Sequence, residues 1–194
     1  MTPATTFTRN RPASRWPLLV GLAILILTLS SIPAAAASGG QSDVAGARQA
    51  TASFHDLSAA DAAGYSALVA DLAGITCIES GAGGMGLHYL NPALASELFD
   101  AAAVPTIDAS APELLVYAPG PGGKVRLVAL EYLTLKASWD ANHASPPTLF
   151  GQSFDVTLAG NRYGLPDFYS LHAWIWNPNP TDLFAPYNPN VSCR

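Results

Sequence analysis

The sequence predicts an α+β fold built on a mainly antiparallel sheet, and three observations predict it. One helix-patterned segment lies early, over 59–73. A long apolar hairpin follows at 113–135. Further strand-patterned segments at 85–90, 150–158 and 169–176 are joined by Gly-, Pro- and Asn-containing connections rather than by helices. The expected layering is one N-terminal helix packed on the sheet. Whether the sheet stays open or curls into a half-barrel or barrel is not decided by the pattern.

The elements follow in order. Residues 38–50 (SGGQSDVAGARQA) are small and polar and read as a flexible lead-in, so the single globular domain is expected over 51–194. Ser58 and Asp61 resemble a capping box with Asp in place of Glu, opening a helix that Gly74 would stop. Leu57, Gly64, Leu68 and Leu72, with Tyr65 and Val69 beside them, give that helix a broad apolar face. Close backbone packing accounts for a mid-helix Gly64. The glycine-rich 80–84 lacks the Lys-Ser/Thr of a phosphate loop and the spacing of a dinucleotide fingerprint, so it reads as a turn. In 85–90, alternation sets Met85, Leu87 and Tyr89 on one face and Gly86, His88 and Leu90 on the other. The hairpin has strands at 113–118 and 124–135 around the turn 119–123. On its return strand Val125, Leu127, Ala129, Glu131 and Leu133 share a face, opposite Arg126, Val128, Leu130 and Tyr132. A Gly-Asn turn at 160–161 precedes the last strand, 169–176, on which His172, Trp174 and Trp176 share a face.

The chain has 194 residues, 12% charged and 49% hydrophobic. The charged fraction is about half the usual ~25%. Residues 1–17 carry Arg9, Arg11 and Arg15 and no acid, the apolar run 18–29 follows, and Ala34–Ala37 supply small residues for cleavage. This reads as a signal peptide over 1–37. Twelve apolar residues fall short of the ~20 that span a bilayer, so no membrane segment is expected after cleavage. Removing 1–37 takes three of nine basic residues and none of fourteen acids, leaving six against fourteen, or −8. That balance excludes a nucleic-acid-coating surface. The address is therefore secreted or extracytoplasmic. Both cysteines, Cys77 and Cys193, lie in the mature part, and an even count in an exported chain predicts a disulfide.

Chemistry is expected at three polar residues inside apolar strands. His88, Glu131 and His172 each interrupt a strand whose faces are otherwise largely apolar. A buried carboxylate is costly unless paired, hydrogen-bonded or metal-bound. Two imidazoles and a carboxylate from three strands form a 2-His-1-carboxylate face suited to one divalent ion, Zn, Fe or Mn. Asn91, His143, Trp174 and Trp176 are candidates for the surrounding layer, His143 by closing over the site from a loop. The competing account makes both histidines core residues, with Glu131 accepting bonds from Tyr, Trp or backbone groups or pairing with Arg126 or Arg162. Nucleophilic chemistry has less support: no G-x-S-x-G elbow exists, and both thiols are assigned to the bridge. A two-carboxylate glycosidase drawing on Glu79, Glu131 and Asp155 lacks support from spacing. The alternative to a metal site is a non-enzymatic module using a Trp/Tyr platform around Trp174 and Trp176, with a small molecule or an extracellular glycan as partner. A purely structural secreted domain is the third reading.

The stretches GMGLHYLNP (84–92), LVALEYL (127–133) and LHAWIWNPNPTDLFAPYNPNVSC (171–193) form one signature. It resembles that of a group of small uncharacterised exported bacterial proteins, over about 52–193. The resemblance implies no particular activity. It directs attention to His88, Glu131 and His172, the polar members of those stretches, and to Asn91, Asn177, Asn179 and Cys193.

Overall fold

The computed structural model describes Met1 and residues 35–194; the expected signal peptide lies almost wholly outside the described residues. Among the described residues no helix is long and apolar enough to cross a membrane.

The first helix is α1, Ala35–Thr51. The segment 38–50 is thus helical rather than a flexible lead-in. Tertiary packing overrides its Gly- and Ser-rich composition. Ala47 and Thr51 are fully buried, Val44 packs against the main core, and Arg48 Nε donates to the Ile175 carbonyl at 3.1 Å. The packed part of the chain consequently begins before residue 51, and the described residues 35–194 form one compact unit.

The helix expected over 59–73 is only α2, Leu57–Ala62. Its N-cap is Asp56, not Ser58: the Asp56 carboxylate accepts from the Ser58 N–H at 2.9 Å and from the Ser58 hydroxyl at 2.8 Å. It stops at Gly64 rather than Gly74. Gly64 adopts φ +99°, and a Cβ there would stand 3.0 Å from the Asn91 amide. The close approach expected of this glycine is real, but it ends the helix instead of packing its middle.

Nine strands follow: β1 Ala67–Leu68, β2 Cys77–Ser80, β3 Gly83–Leu90, β4 Leu114–Pro119, β5 Val125–Leu135, β6 Thr148–Leu149, β7 Gln152–Ser153, β8 Asp155–Thr157 and β9 Phe168–Ala173, with a short helix α3, Lys136–Asp140, after β5. Seven form one sheet in the order β1-β3-β4-β5-β9-β8, with β2 also on β3, and every pairing is antiparallel. The fold is α+β, and the sheet is open, not closed into a barrel. The glycine-rich 80–84 makes the turn between β2 and β3. The strand expected over 150–158 is divided: β6 and β7 form a two-residue hairpin turning at Phe150 and Gly151, both with positive φ, before β8 begins.

One face of the sheet carries the larger core, with Leu115, Tyr117, Leu127, Leu130, Tyr132 and Leu171 under α1, the 54–65 segment and the β6–β7 hairpin. The other face carries two smaller clusters, one around Val116, Ala129, Trp174 and Val191 and one around Leu90, Leu114, Leu133 and Phe168.

Two register shifts change the faces expected from strict alternation. In the β4–β5 pairing Val116 faces Ala129 while Tyr117 faces Leu127, so β5 bulges at Val128. An extra residue moves everything beyond it to the opposite face. Val125 and Leu127 therefore join the larger core, while Ala129, Glu131 and Leu133 stay on the opposite face. A second shift, where Ile78 faces Gly86 and Glu79 faces Gly84, turns Met85 toward the His88 side, away from Leu87 and Tyr89.

Candidate metal centre

The register of three pairings brings the polar strand residues together. Glu131 of β5 lies directly opposite His172 of β9 and, on its other side, opposite Leu114 of β4. His88 of β3 lies opposite Val116, two residues along β4 from Leu114 and on the same face. His88 thus reaches across β4 toward Glu131. Nε2 of His88 stands 3.4 Å from Glu131 Oε2 and 3.4 Å from His172 Nε2; His172 Nε2 stands 3.8 Å from Glu131 Oε2. All three residues are buried, none more than 6% exposed. Among the described residues this is the one cluster of three or more His, Cys, Asp or Glu side chains placed to hold an ion.

The electrostatics favour neutral imidazoles. Burial pushes His88 down to about 4, against the upward pull of the Glu131 carboxylate; the neighbouring His172 lowers it further. Burial likewise pushes His172 down to about 4. Burial raises Glu131, offset in part by His88 and by a hydrogen bond with the Ser170 side chain. Nε2 of each histidine faces the cluster, and a ring protonated at Nδ1 presents its Nε2 lone pair there, as in metal-bound imidazoles.

The contacts within the cluster are long for hydrogen bonds, which for N–H···O run at about 2.7–3.2 Å. They suit a shared ion better. A triangle with sides of 3.4, 3.4 and 3.8 Å has one point about 2.1 Å from all three corners. That is the distance at which zinc holds imidazole nitrogen and carboxylate oxygen (about 2.0–2.2 Å). The arginines proposed as partners for Glu131 are engaged elsewhere: Arg126 donates to Asn177 and Arg162 to Asp71.

The surrounding layer differs from expectation. Trp174 stacks on His172 at 6.1 Å between ring centroids, 1% exposed, with its Nε1 donating to the Ala185 carbonyl at 2.6 Å. Trp176 does not share that face. Strand β9 ends at Ala173, and Trp176 turns to the α1 side, where it meets His55 edge-on and donates to Thr51 Oγ1. A common Trp platform is therefore not formed. Asn91 is buried as a turn residue, its side chain bonding Ala63 and Ala93. His143 is exposed and stacked on Trp139 just after α3, outside the cluster.

Several features are not readable from the strand pattern. A cavity of about 270 Å³ opens onto His88, Glu131 and Ser170. Its remaining lining is mostly apolar and comes largely from loops and strand ends, including 69–70, 98–99 and 163–165. Glu113, near Glu131, is another buried carboxyl. It accepts the Leu133 N–H at 3.0 Å, and burial, with Glu97 and Glu131 nearby, raises it to about 8. A run of apolar strand residues hides such a group, because Glu113 precedes β4 and looks like its solvated end. The disulfide is as expected: Cys77 and Cys193 are joined, with Cα atoms 5.7 Å apart.

No protein-family model matches the chain, and neither does any curated protein or solved structure.

Proposed function

We propose that the protein is a mononuclear metal-binding domain in which His88 Nε2, Glu131 Oε2 and His172 Nε2 hold one divalent ion. The observation that carries this reading is the spacing of the three donor atoms, 3.4 to 3.8 Å. It is too long for good hydrogen bonds and right for three ligands around a common centre. Without an ion, three buried polar groups would be left poorly paired, at about 1–3 kcal/mol each.

The spacing favours zinc over iron or manganese. Ligands about 2.1 Å from a tetrahedral ion stand about 3.4 Å apart, whereas adjacent octahedral ligands at that distance stand about 3.0 Å apart. Three protein ligands leave a further position, as in catalytic rather than structural zinc sites. The cavity meets the cluster on the His88–Glu131 side, which gives that position a solvent or ligand route. An ion held there would lower the pKa of bound water and polarise an oxygen ligand. The N-terminal basic and apolar run, followed by a disulfide-bonded domain, supports export as the setting.

The test is elemental analysis of untagged protein, with His88→Ala/His172→Ala beside it. About one zinc per chain is expected in the wild type and none in the double variant. A metal-free wild type, or a double variant that keeps its metal, overturns the reading.

A further inference from the structure

The cavity above the cluster has a composition that selects its ligand. Its walls are Leu90, Leu98, Leu114, Leu133, Leu165 and Phe168, and Phe99, 68% exposed, stands at its rim. Its polar lining is confined to His88, Glu131, Ser170, Thr157 and Tyr163. No Lys or Arg lines it. At about 270 Å³ it lies just below the roughly 300–1,000 Å³ of drug-sized sites, so it suits a small molecule rather than a polymer.

Charge counting then bears on the head group. Two neutral imidazoles and one carboxylate leave a divalent ion with a residual charge of about +1. Against the largely apolar walls that charge calls for one anionic ligand, since an uncompensated charge is costly there. Without the ion, the cavity holds no cation for an anion to meet.

Building on the metal reading above, we infer that the cavity binds small apolar monocarboxylates, the carboxylate on the ion and the hydrocarbon against the leucine wall. A glycan fits this lining poorly, because its hydroxyls would face leucine and phenylalanine without partners.

The probes are straight-chain carboxylates from acetate to octanoate, titrated by calorimetry into protein whose metal content has been measured on the same sample. Each buried methylene tightens binding about fourfold until the cavity is full. Chelated protein is expected to lose carboxylate binding yet still take up 1-hexanol, which needs the walls but not the ion. Val69→Trp, which fills the cavity from a loop, is expected to weaken hexanoate at least tenfold with the metal content unchanged. Metal-loaded protein that binds acetate and hexanoate equally, or a Val69→Trp variant that loads metal and binds hexanoate as wild type does, overturns this inference and leaves the metal reading standing. Hexanoate binding that survives chelation overturns the role given to the ion. Absence of stoichiometric metal overturns both.

Discussion

Replacing Glu113 with Gln should make the protein more stable, and the gain should grow with pH. In the unfolded chain this carboxyl ionises near its ordinary 4.5; in the fold, where the residue is 3% exposed, it does so at about 8. Below pH 4.5 both states hold the proton and no penalty arises. Above it the unfolded state releases the proton while the folded state keeps it, so stability falls as pH rises. The slope is about 1.4 kcal/mol per pH unit, and the loss levels off above pH 8 at about 4–5 kcal/mol. Between pH 6.5 and 9 the loss amounts to about 2 kcal/mol. Gln keeps an oxygen to accept the Leu133 N–H, and it has no proton to lose. Urea unfolding at pH 6.5, 7.5 and 9 gives the two stability curves. Their difference removes contributions shared by both proteins, Glu131 included. A difference that stays flat across this range, or a less stable Gln variant at pH 9, would refute the assignment of Glu113 as a buried neutral acid. The assignment also bears on the site, since a neutral Glu113 adds no second negative charge beside Glu131.

Other outcomes follow from the same structure. Cys77→Ser with Cys193→Ser should cost about 4–5 kcal/mol of unfolding free energy, from the entropy of opening a loop whose ends are 116 residues apart, and should raise the m-value because the unfolded chain becomes less compact; a cost under about 1 kcal/mol would contradict this. Gly86→Ala should cost at least about 2 kcal/mol and lower the metal content. Its φ is +98°, and the added Cβ would lie 2.6 Å from the Tyr117 carbonyl oxygen, two residues from His88. Stability equal to wild type in urea would show that the β3–β4 contact yields easily. Trp174→Phe should lose about 1–3 kcal/mol by leaving the Ala185 carbonyl without its donor, with metal content unchanged; elemental analysis and thermal unfolding together separate the two effects.

The site residues were legible because buried polar side chains in apolar strands are expensive and therefore conspicuous. His88, Glu131 and His172 stand out for that reason alone, and the hairpin at 113–135 was readable from its turn and its long apolar strands. The helices were less legible. Composition alone hides α1, whose helicity rests on burying Ala47 and Thr51 against the core. The apolar face extending past Gly64 suggests a helix that the backbone at that glycine does not continue. Bulges cannot be seen in an alternation pattern, so the Val128 shift misplaces Val125 and Leu127. The residues around the cluster depend on loop paths, which is why Trp174 proved to be adjacent to His172 while Trp176 and His143 did not belong there.

The bridge between Cys77 and Cys193 also determines what one cut by a protease can do. His88, Glu131 and His172 all lie between the two cysteines. A single break in an exposed connection such as 141–146 would leave a two-chain molecule still joined by sulfur, with His88 and Glu131 on one piece and His172 on the other. The pieces would migrate together until a reductant is added. The three side chains are thus kept as neighbours by a covalent ring as well as by packing, and a nicked protein can retain the whole cluster.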